Sequence, residues 1–188
     1  MKIEMSKFAG LMAVLFLMCG GMAAQKPEFQ PNQLAPYVPS PYQVVDRMLE
    51  LAKIKPGEKV YDLGSGDGRV VIAAAQKYNA KSVGIELSSR LVKSSQEEIK
   101  KLGLSEKVNV VHGDVFDADL SDADVVILYL LRDSNNTLKP KLEKSLHPGA
   151  RVISHDYEIQ GWKPSQEEKV DAYRRGHKIY VYVMPPQK

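Results

Sequence analysis

The stretch Val60-Tyr61-Asp62-Leu63-Gly64-Ser65-Gly66-Asp67-Gly68-Arg69 decides the fold. An apolar strand runs into a loop with glycine at every second position, and a helix-forming run, Val70 to Tyr78, follows. Glycine takes positive φ at no steric cost and lets a ligand approach the backbone. The N-terminus of the helix beyond adds free N–H groups and the positive end of a dipole. A strand, a glycine loop and a helix in this order hold a nucleotide-like cofactor at the carboxyl edge of a parallel sheet.

The spacing narrows the cofactor. The dinucleotide fingerprint G-x-G-x-x-G would place its third glycine at position 69, which is Arg69. No Gly-Lys-Ser/Thr follows, so the loop is not a P-loop. The form here is D-x-G-x-G-x-G with Asp62 at the strand end, and it resembles motif I of the class I S-adenosylmethionine (SAM) methyltransferases. SAM has no pyrophosphate to cradle. It carries a sulfonium, an ammonium, a carboxylate and a ribose, and an acid beside the loop suits its cationic amino-acid end. The resemblance implies that Asp62, Gly64, Ser65, Gly66, Asp67 and Gly68 line the cofactor.

Two further units repeat the pattern. Lys81-Ser82-Val83-Gly84-Ile85-Glu86 reads as a second strand ending in an acid. Glu86 falls about 20 residues beyond the loop, where a βαβ unit puts a carboxylate on ribose hydroxyls, and Leu87 stands beside it. A third strand, Val108 to His112, runs into Gly113-Asp114-Val115. The resemblance implies that Asp114 contacts the adenine amino group, with Val115 next to it. Three strands in succession thus end in Asp62, Glu86 and Asp114, in register with one glycine loop.

The chain has 188 residues, a length suited to one domain, and its 44% hydrophobic content is that of a globular protein. A net charge of +3, with no block of five or more Lys/Arg, gives no reason to expect a nucleic-acid partner. The N-terminus differs in kind. Lys2 and Lys7 precede an uncharged apolar run from Phe8 to Ala24, and Gly21-Met22-Ala23 could serve as a cleavage site. Residues 1–24 therefore read as a secretory signal peptide, or as an uncleaved anchor, for which the run is slightly short. The sole cysteine, Cys19, lies in this leader, and Met18 spoils a lipobox. The leader points to the periplasm or a membrane, whereas SAM is made in the cytosol.

Residues 25–41 form a proline-rich arm. The domain, residues 42–188, opens with a helix from Tyr42 to Lys53, capped by Ser40 or a neighbour. Strands are expected at 59–63, 82–86, 108–112, 124–130 and 150–154, with helices at 68–78, 88–102 and 134–146. Pro140 should kink or start the last of these. Segments 169–174 and 178–184, separated by Gly176, read as a closing β-hairpin. Alternating β and α elements give an α/β fold: a Rossmann-like, mostly parallel seven-stranded sheet with helices on both faces and a C-terminal antiparallel hairpin. The stretch from Asp156 to Glu168 is too short and too proline-broken for the usual last helix of such folds.

The arm Pro36-Tyr37-Val38-Pro39-Ser40-Pro41, the loop, Gly84-Ile85-Glu86-Leu87, Pro148-Gly149-Ala150-Arg151-Val152-Ile153-Ser154 and Gly161-Trp162-Lys163-Pro164 together resemble the ATP synthase c-subunit lysine methyltransferases and their bacterial relatives, from Pro36 onward. The resemblance implies a SAM-dependent transfer to lysine in a protein, and implies that Tyr37 folds over bound SAM. After strand four, many methyltransferases carry Asn/Asp-Pro-Pro-Tyr; here the chain reads Leu128-Tyr129-Leu130-Leu131. That leaves Tyr129 as the candidate catalytic side chain near the methyl group. A small-molecule N- or O-methyl acceptor, and a SAM- or nucleoside-binding module without catalysis, remain alternatives. Of the four histidines, His112 reads as structural and His147 as exposed. His155-Asp156-Tyr157 could line the acceptor channel or supply a base as a loop histidine without a fixed partner. The histidines and Cys19 show no metal-ligand spacing, so no metal is expected. Trp162 reads as a packing residue, and Tyr180 and Tyr182 as one face of the hairpin.

Overall fold

The computed structural model describes residues 34–187. The leader, Cys19 and the first part of the arm lie outside the described residues. The elements in chain order are α1 (Tyr42–Leu51), β1 (Lys59–Leu63), α2 (Arg69–Tyr78), β2 (Lys81–Glu86), α3 (Ser89–Lys101), β3 (Val108–His112), β4 (Val125–Leu128), α4 (Arg132–Ser145), β5 (Arg151–His155), β6 (Gln166–Ala172) and β7 (Arg175–Val183). They build one seven-stranded sheet in the order β3-β2-β1-β4-β5-β7-β6. Strands β1 to β5 pair in parallel, and β7 runs antiparallel to both β5 and β6. The expected fold and closing hairpin are present, and no helix forms between β5 and β6.

Strand periodicity sorts the core into two layers. Tyr61, Leu63, Val126, Leu128, Val152, Tyr180 and Tyr182 face α4 and pack with Leu138 and Leu142. Val60, Val125, Ile127, Ile153, Ile179 and Val181 face the other way, toward α1 and α2, and pack with Val45, Met48 and Leu49. Every residue of β4 is buried, as a central parallel strand requires. Trp162 packs edge-on against Tyr182 and donates its Nε1 proton to Glu143. On the other face of the sheet, Arg47 of α1 grips Glu168 of the edge strand β6 through two hydrogen bonds of 2.5 and 2.7 Å, which fixes α1 and the arm before it over the hairpin. Among the described residues no helix is long and apolar enough to cross a membrane.

Several local expectations are corrected. Of Ser40 and its neighbours, Pro41 takes the N-cap position of α1, and the Ser40 hydroxyl bonds His155 instead of capping. Strand β4 stops at Leu128, two residues before Leu130. Pro140 neither starts α4 nor ends it; the helix begins at Arg132 and contains it. The hairpin turns at Tyr173-Arg174, both at positive φ (48° and 62°), while Gly176 lies inside β7 opposite Asp171. Two left-handed residues match the twist of a tight hairpin. A β-carbon at 176 would meet the end of the exposed, flexible Lys169 side chain, which can move aside, so this position does not demand glycine.

Candidate active site

The sheet changes direction between β1 and β4, because β2 and β3 lie to one side of β1 and β4 and β5 to the other. Ligands of open α/β sheets bind at the carboxyl ends of the strands at such a point. The glycine loop, Tyr129 and the arm all meet there.

The loop is held by backbone bonds to β2. The N–H groups of Gly64 and Ser65 both reach the carbonyl of Ile85, at 2.8 and 3.1 Å, and Gly68 donates to the carbonyl of Ser65. Gly64, Gly66 and Gly68 all have positive φ (84°, 56° and 78°). Glu86 braces the loop from the tip of β2. One carboxylate oxygen accepts the Gly66 N–H at 2.8 Å and the other accepts Ser88 N–H at 2.7 Å. Each oxygen keeps a lone pair for a further donor. Ser65 is buried, and its Oγ has no partner among the described residues. It sits where a side chain on Gly84 would be: an added β-carbon would lie 2.5 Å from Ser65 Oγ.

Asp62 is the penultimate residue of β1, at the expected end of the strand, and pairs in register with Gly84 and Ile127. Burial, then the charges of Glu86 and Asp67, push its carboxyl up to about 8, and among the described residues no hydrogen-bond donor offsets them. Asp67 goes the other way. Burial alone would raise it, but hydrogen bonds and charge from Arg69 hold it below the usual carboxylate range. Arg69 chelates Asp67 through Nε and Nη2, stands 4.8 Å over the Tyr42 ring, and donates Nη1 to the carbonyl of Ser40 at 2.8 Å. The arm is thereby tied to the loop. Tyr37 crosses Gly66, and burial together with Asp67 raises its phenol pKa. Leu87 accepts a bond from His112 on its carbonyl. Asp114 follows β3 and caps its own turn through Phe116 N–H, with Val115 buried behind it. The expected cofactor residues thus gather along one edge, from the arm through the loop to the turn after β3.

This edge fits the amino-acid and nucleoside parts of SAM. Of the three acids around the loop, Asp67 is matched by Arg69 and Glu86 by two N–H groups. Asp62 alone faces no donor among the described residues, and burial beside Glu86 and Asp67 keeps its carboxyl protonated unless a cation offsets the cost of ionising it.

On the other side of the crevice the structure gathers residues that spacing did not join. His155 is the last residue of β5 and fully buried, not a free loop histidine. Its ring stacks on Tyr129 with centroids 3.8 Å apart. Its Nδ1 meets Ser40 Oγ at 2.9 Å and its Nε2 meets His177 Nδ1 at 2.9 Å. Burial, aided by His177 and Arg175 and opposed by Asp156, lowers its pKa to about 4, so the ring is neutral at pH 7. Asp156 Oδ2 lies 3.3 Å from His177 Nδ1 and 3.4 Å from the Tyr129 hydroxyl, and Arg175 bonds the same oxygen. His155, Asp156 and His177 offer ligand atoms within 4.8 Å of one another, a grouping of the kind that holds metals. The Arg175 guanidinium, however, already supplies this carboxylate with a cation. Sequence reasoning missed His177, Ser40 and Arg69; only Arg69, at the position of the absent third glycine, carried a local signal.

Comparison with known proteins agrees with this geometry. The profile of the ANTKMT methyltransferase domain matches residues 62–166. A protein-lysine N-methyltransferase of Saccharolobus islandicus is 46% identical over 154 residues, covering 81% of this chain and 96% of the relative. The human lysine N-methyltransferase of the ATP synthase c-subunit is 31% identical over 129 residues, 69% of this chain; the chain spans only 54% of that protein. A crystal structure described as an RNA methyltransferase from Salinibacter ruber with S-adenosyl-L-homocysteine superposes with a TM-score of 0.74 at 44% identity, covering 80% of this chain and 96% of the other. The chain belongs to the ANTKMT methyltransferase domain family and is a SAM-dependent methyltransferase.

Proposed function

We propose that this enzyme methylates the ε-amino nitrogen of lysine in a protein acceptor. The observation that carries the reading is the 46% identity to a protein-lysine N-methyltransferase over 96% of that enzyme's length. The tip of β4 supports it. Leu128-Tyr129-Leu130-Leu131 offers an aromatic ring among apolar side chains and no Asn or Asp carbonyl to grip an amide or a base amino group.

Bound SAM supplies an activated methyl on a sulfonium, and the protein has only to bind, align and exclude water. In our reading Asp62 takes the ammonium, Glu86 the ribose hydroxyls and Asp114 the adenine amino group. Gly64, Ser65, Gly66, Asp67 and Gly68 form the floor, Leu87 and Val115 flank the nucleoside, and Tyr37 closes over the top. Lysine must arrive as a neutral amine, because an ammonium has no lone pair, and its free pKa is about 10.4. A channel walled by Tyr129 and Tyr37 desolvates the ammonium and lowers that value. Alignment alone is worth on the order of 7–11 kcal/mol in favourable cases. No covalent enzyme intermediate is required.

A second reading, transfer to RNA, is favoured by the description of the Salinibacter structure. Incubation with tritiated SAM and a cell extract, followed by separation of protein, RNA and small molecules, distinguishes the acceptors. Methyllysine in the protein hydrolysate is expected; label confined to RNA or to the small-molecule fraction overturns the lysine reading. We further infer from the apolar run of residues 8–24 that the chain is exported or anchored. N-terminal sequencing of the mature protein should begin near Ala24 if the leader is cleaved.

A further inference from the structure

Tyr129, the proposed acceptor-side residue, is held by a chain of contacts that ends in the cofactor arm. Its ring lies on His155 with an interplanar angle of 29°. Both nitrogens of that buried ring are engaged, one by Ser40 and one by His177. When the His177 Nδ1 proton faces the Asp156 carboxylate and His155 Nε2, His155 carries its proton on Nδ1 and donates it to Ser40 Oγ. Turning the ring would break both bonds and leave the buried Ser40 hydroxyl without its partner, a costly change, although His177 would keep Asp156. Ser40 also accepts Arg69 through its carbonyl, and Arg69 grips Asp67 in the glycine loop beneath Tyr37. A continuous path of hydrogen bonds and packed rings therefore runs from cofactor loop to Arg69, to Ser40, to His155, to Tyr129.

The simpler reading is that these groups only fasten the hairpin to the sheet. The β5–β7 backbone ladder already does that over five register pairs, and the His155–His177 contact repeats it. The Ser40 contact adds nothing to the hairpin, because Ser40 lies on the arm, 115 positions away. We propose that His155 is a positioning residue that backs Tyr129 at the methyl acceptor, and that Ser40 makes this placement depend on the closed arm. The enzyme then presents an ordered acceptor wall only when the arm lies over the cofactor. This rests on the reading of Tyr129 as the acceptor-side residue.

The test uses the full chain with Ser40→Ala, Ser40→Thr and His155→Phe. Two quantities are read: S-adenosylhomocysteine affinity by calorimetry, and the rate of tritiated methyl incorporation into protein of a cell extract at saturating SAM. Ser40→Ala removes no contact to the glycine loop, so the affinity should stay within about threefold. The saturated rate should fall at least about tenfold, since small misplacements near the reacting atoms are costly. Ser40→Thr, which keeps the hydroxyl, should restore it. His155→Phe keeps a ring beneath Tyr129 but loses the bond to Ser40, and should resemble Ser40→Ala. A Ser40→Ala rate equal to wild type at saturating SAM would confine Ser40 to closing over the cofactor and overturn the proposal. Loss of rate together with loss of cofactor affinity would assign the cluster to folding and overturn it too. If the wild type labels RNA or small molecules instead of protein, the lysine reading fails, and the same ratios are measured with that acceptor.

Discussion

The ring of Tyr37 crosses Gly66 so closely that a β-carbon at position 66 would fall 2.6 Å from Tyr37 Cε2. Gly66 also sits at φ 56°, where an L side chain is strained. Gly66→Ala should therefore cost about 1–3 kcal/mol of local strain, and it should lift the ring off the loop. The strain is present with and without ligand and should appear as lost stability, whereas cofactor affinity should weaken through the displaced ring, by about fivefold or more. Calorimetry with S-adenosylhomocysteine measures it. Tyr37→Ala in the Gly66→Ala background should recover the steric part of the lost stability, read as melting temperature, while leaving the backbone strain in place; it should not restore affinity, because Tyr37 itself covers the cofactor in our reading.

Asp62 predicts how cofactor binding depends on pH. Its folded-state pKa, about 8, is above the ordinary 3.8. Without ligand the carboxyl is mostly protonated at pH 7, and an incoming ammonium drives it to ionise, releasing a proton. Affinity for S-adenosylhomocysteine should then rise with pH from 6 to 8 and level off above. Calorimetry in two buffers of different ionisation enthalpy should show proton release, and Asp62→Asn should remove both effects. For stability the sign is opposite to that of a salt-bridged acid. Between about pH 4 and pH 8 the ligand-free folded state holds a proton that the unfolded state has lost, so this group makes stability fall as pH rises. The melting temperature of Asp62→Asn should lack that part of the decline.

Residues that act through their immediate neighbours are legible without the fold. The glycine loop and the second and third strands depend on spacing within one or two turns of chain, and they stand where expected. The span of β1, Lys59 to Leu63, is the expected one, but that Asp62 is buried within it is not legible from spacing. Gly176 draws the hairpin turn to itself in the sequence because glycine is the usual source of positive φ, whereas Tyr173 and Arg174 take it here. His155 gives no sign of its role. Its partners come from the arm, 115 positions before it, and from β7, 22 positions after it, and only the antiparallel return of β7 brings them together.

Arg69 should act as the anchor of the arm. Arg69→Ala strips the buried side of Asp67 of its cation and frees the Ser40 carbonyl. Hydrogen bonds to charged groups are worth about 1.5–3 kcal/mol each when broken singly. Hydrogen exchange at residues 37–41 should quicken, and the Michaelis constant for SAM should rise by about tenfold or more. Arg69→Lys should not rescue either property, because an ammonium cannot chelate Asp67 and reach Ser40 together.

Gly84 separates a packing requirement from a cofactor requirement. It lies inside β2 at ordinary strand φ, so the backbone would accept alanine, but the added carbon would meet Ser65 Oγ at 2.5 Å and Ser65 Cβ at 2.7 Å. Ser65 is itself buried and cannot retreat into solvent. Overpacking of this kind costs about 1–3 kcal/mol, which for a chain of this size lowers the melting temperature by roughly 2–4 °C per kcal/mol. The double variant Gly84→Ala/Ser65→Gly removes the two closest atoms, leaving the milder contact with Val110 Cγ2 at 3.1 Å, and should regain most of the lost stability. If Ser65 Oγ serves the cofactor as well as filling space, the same double variant will melt like the wild type yet bind S-adenosylhomocysteine more weakly. Equal recovery of stability and affinity would reduce Ser65 to a spacer between the loop and β2.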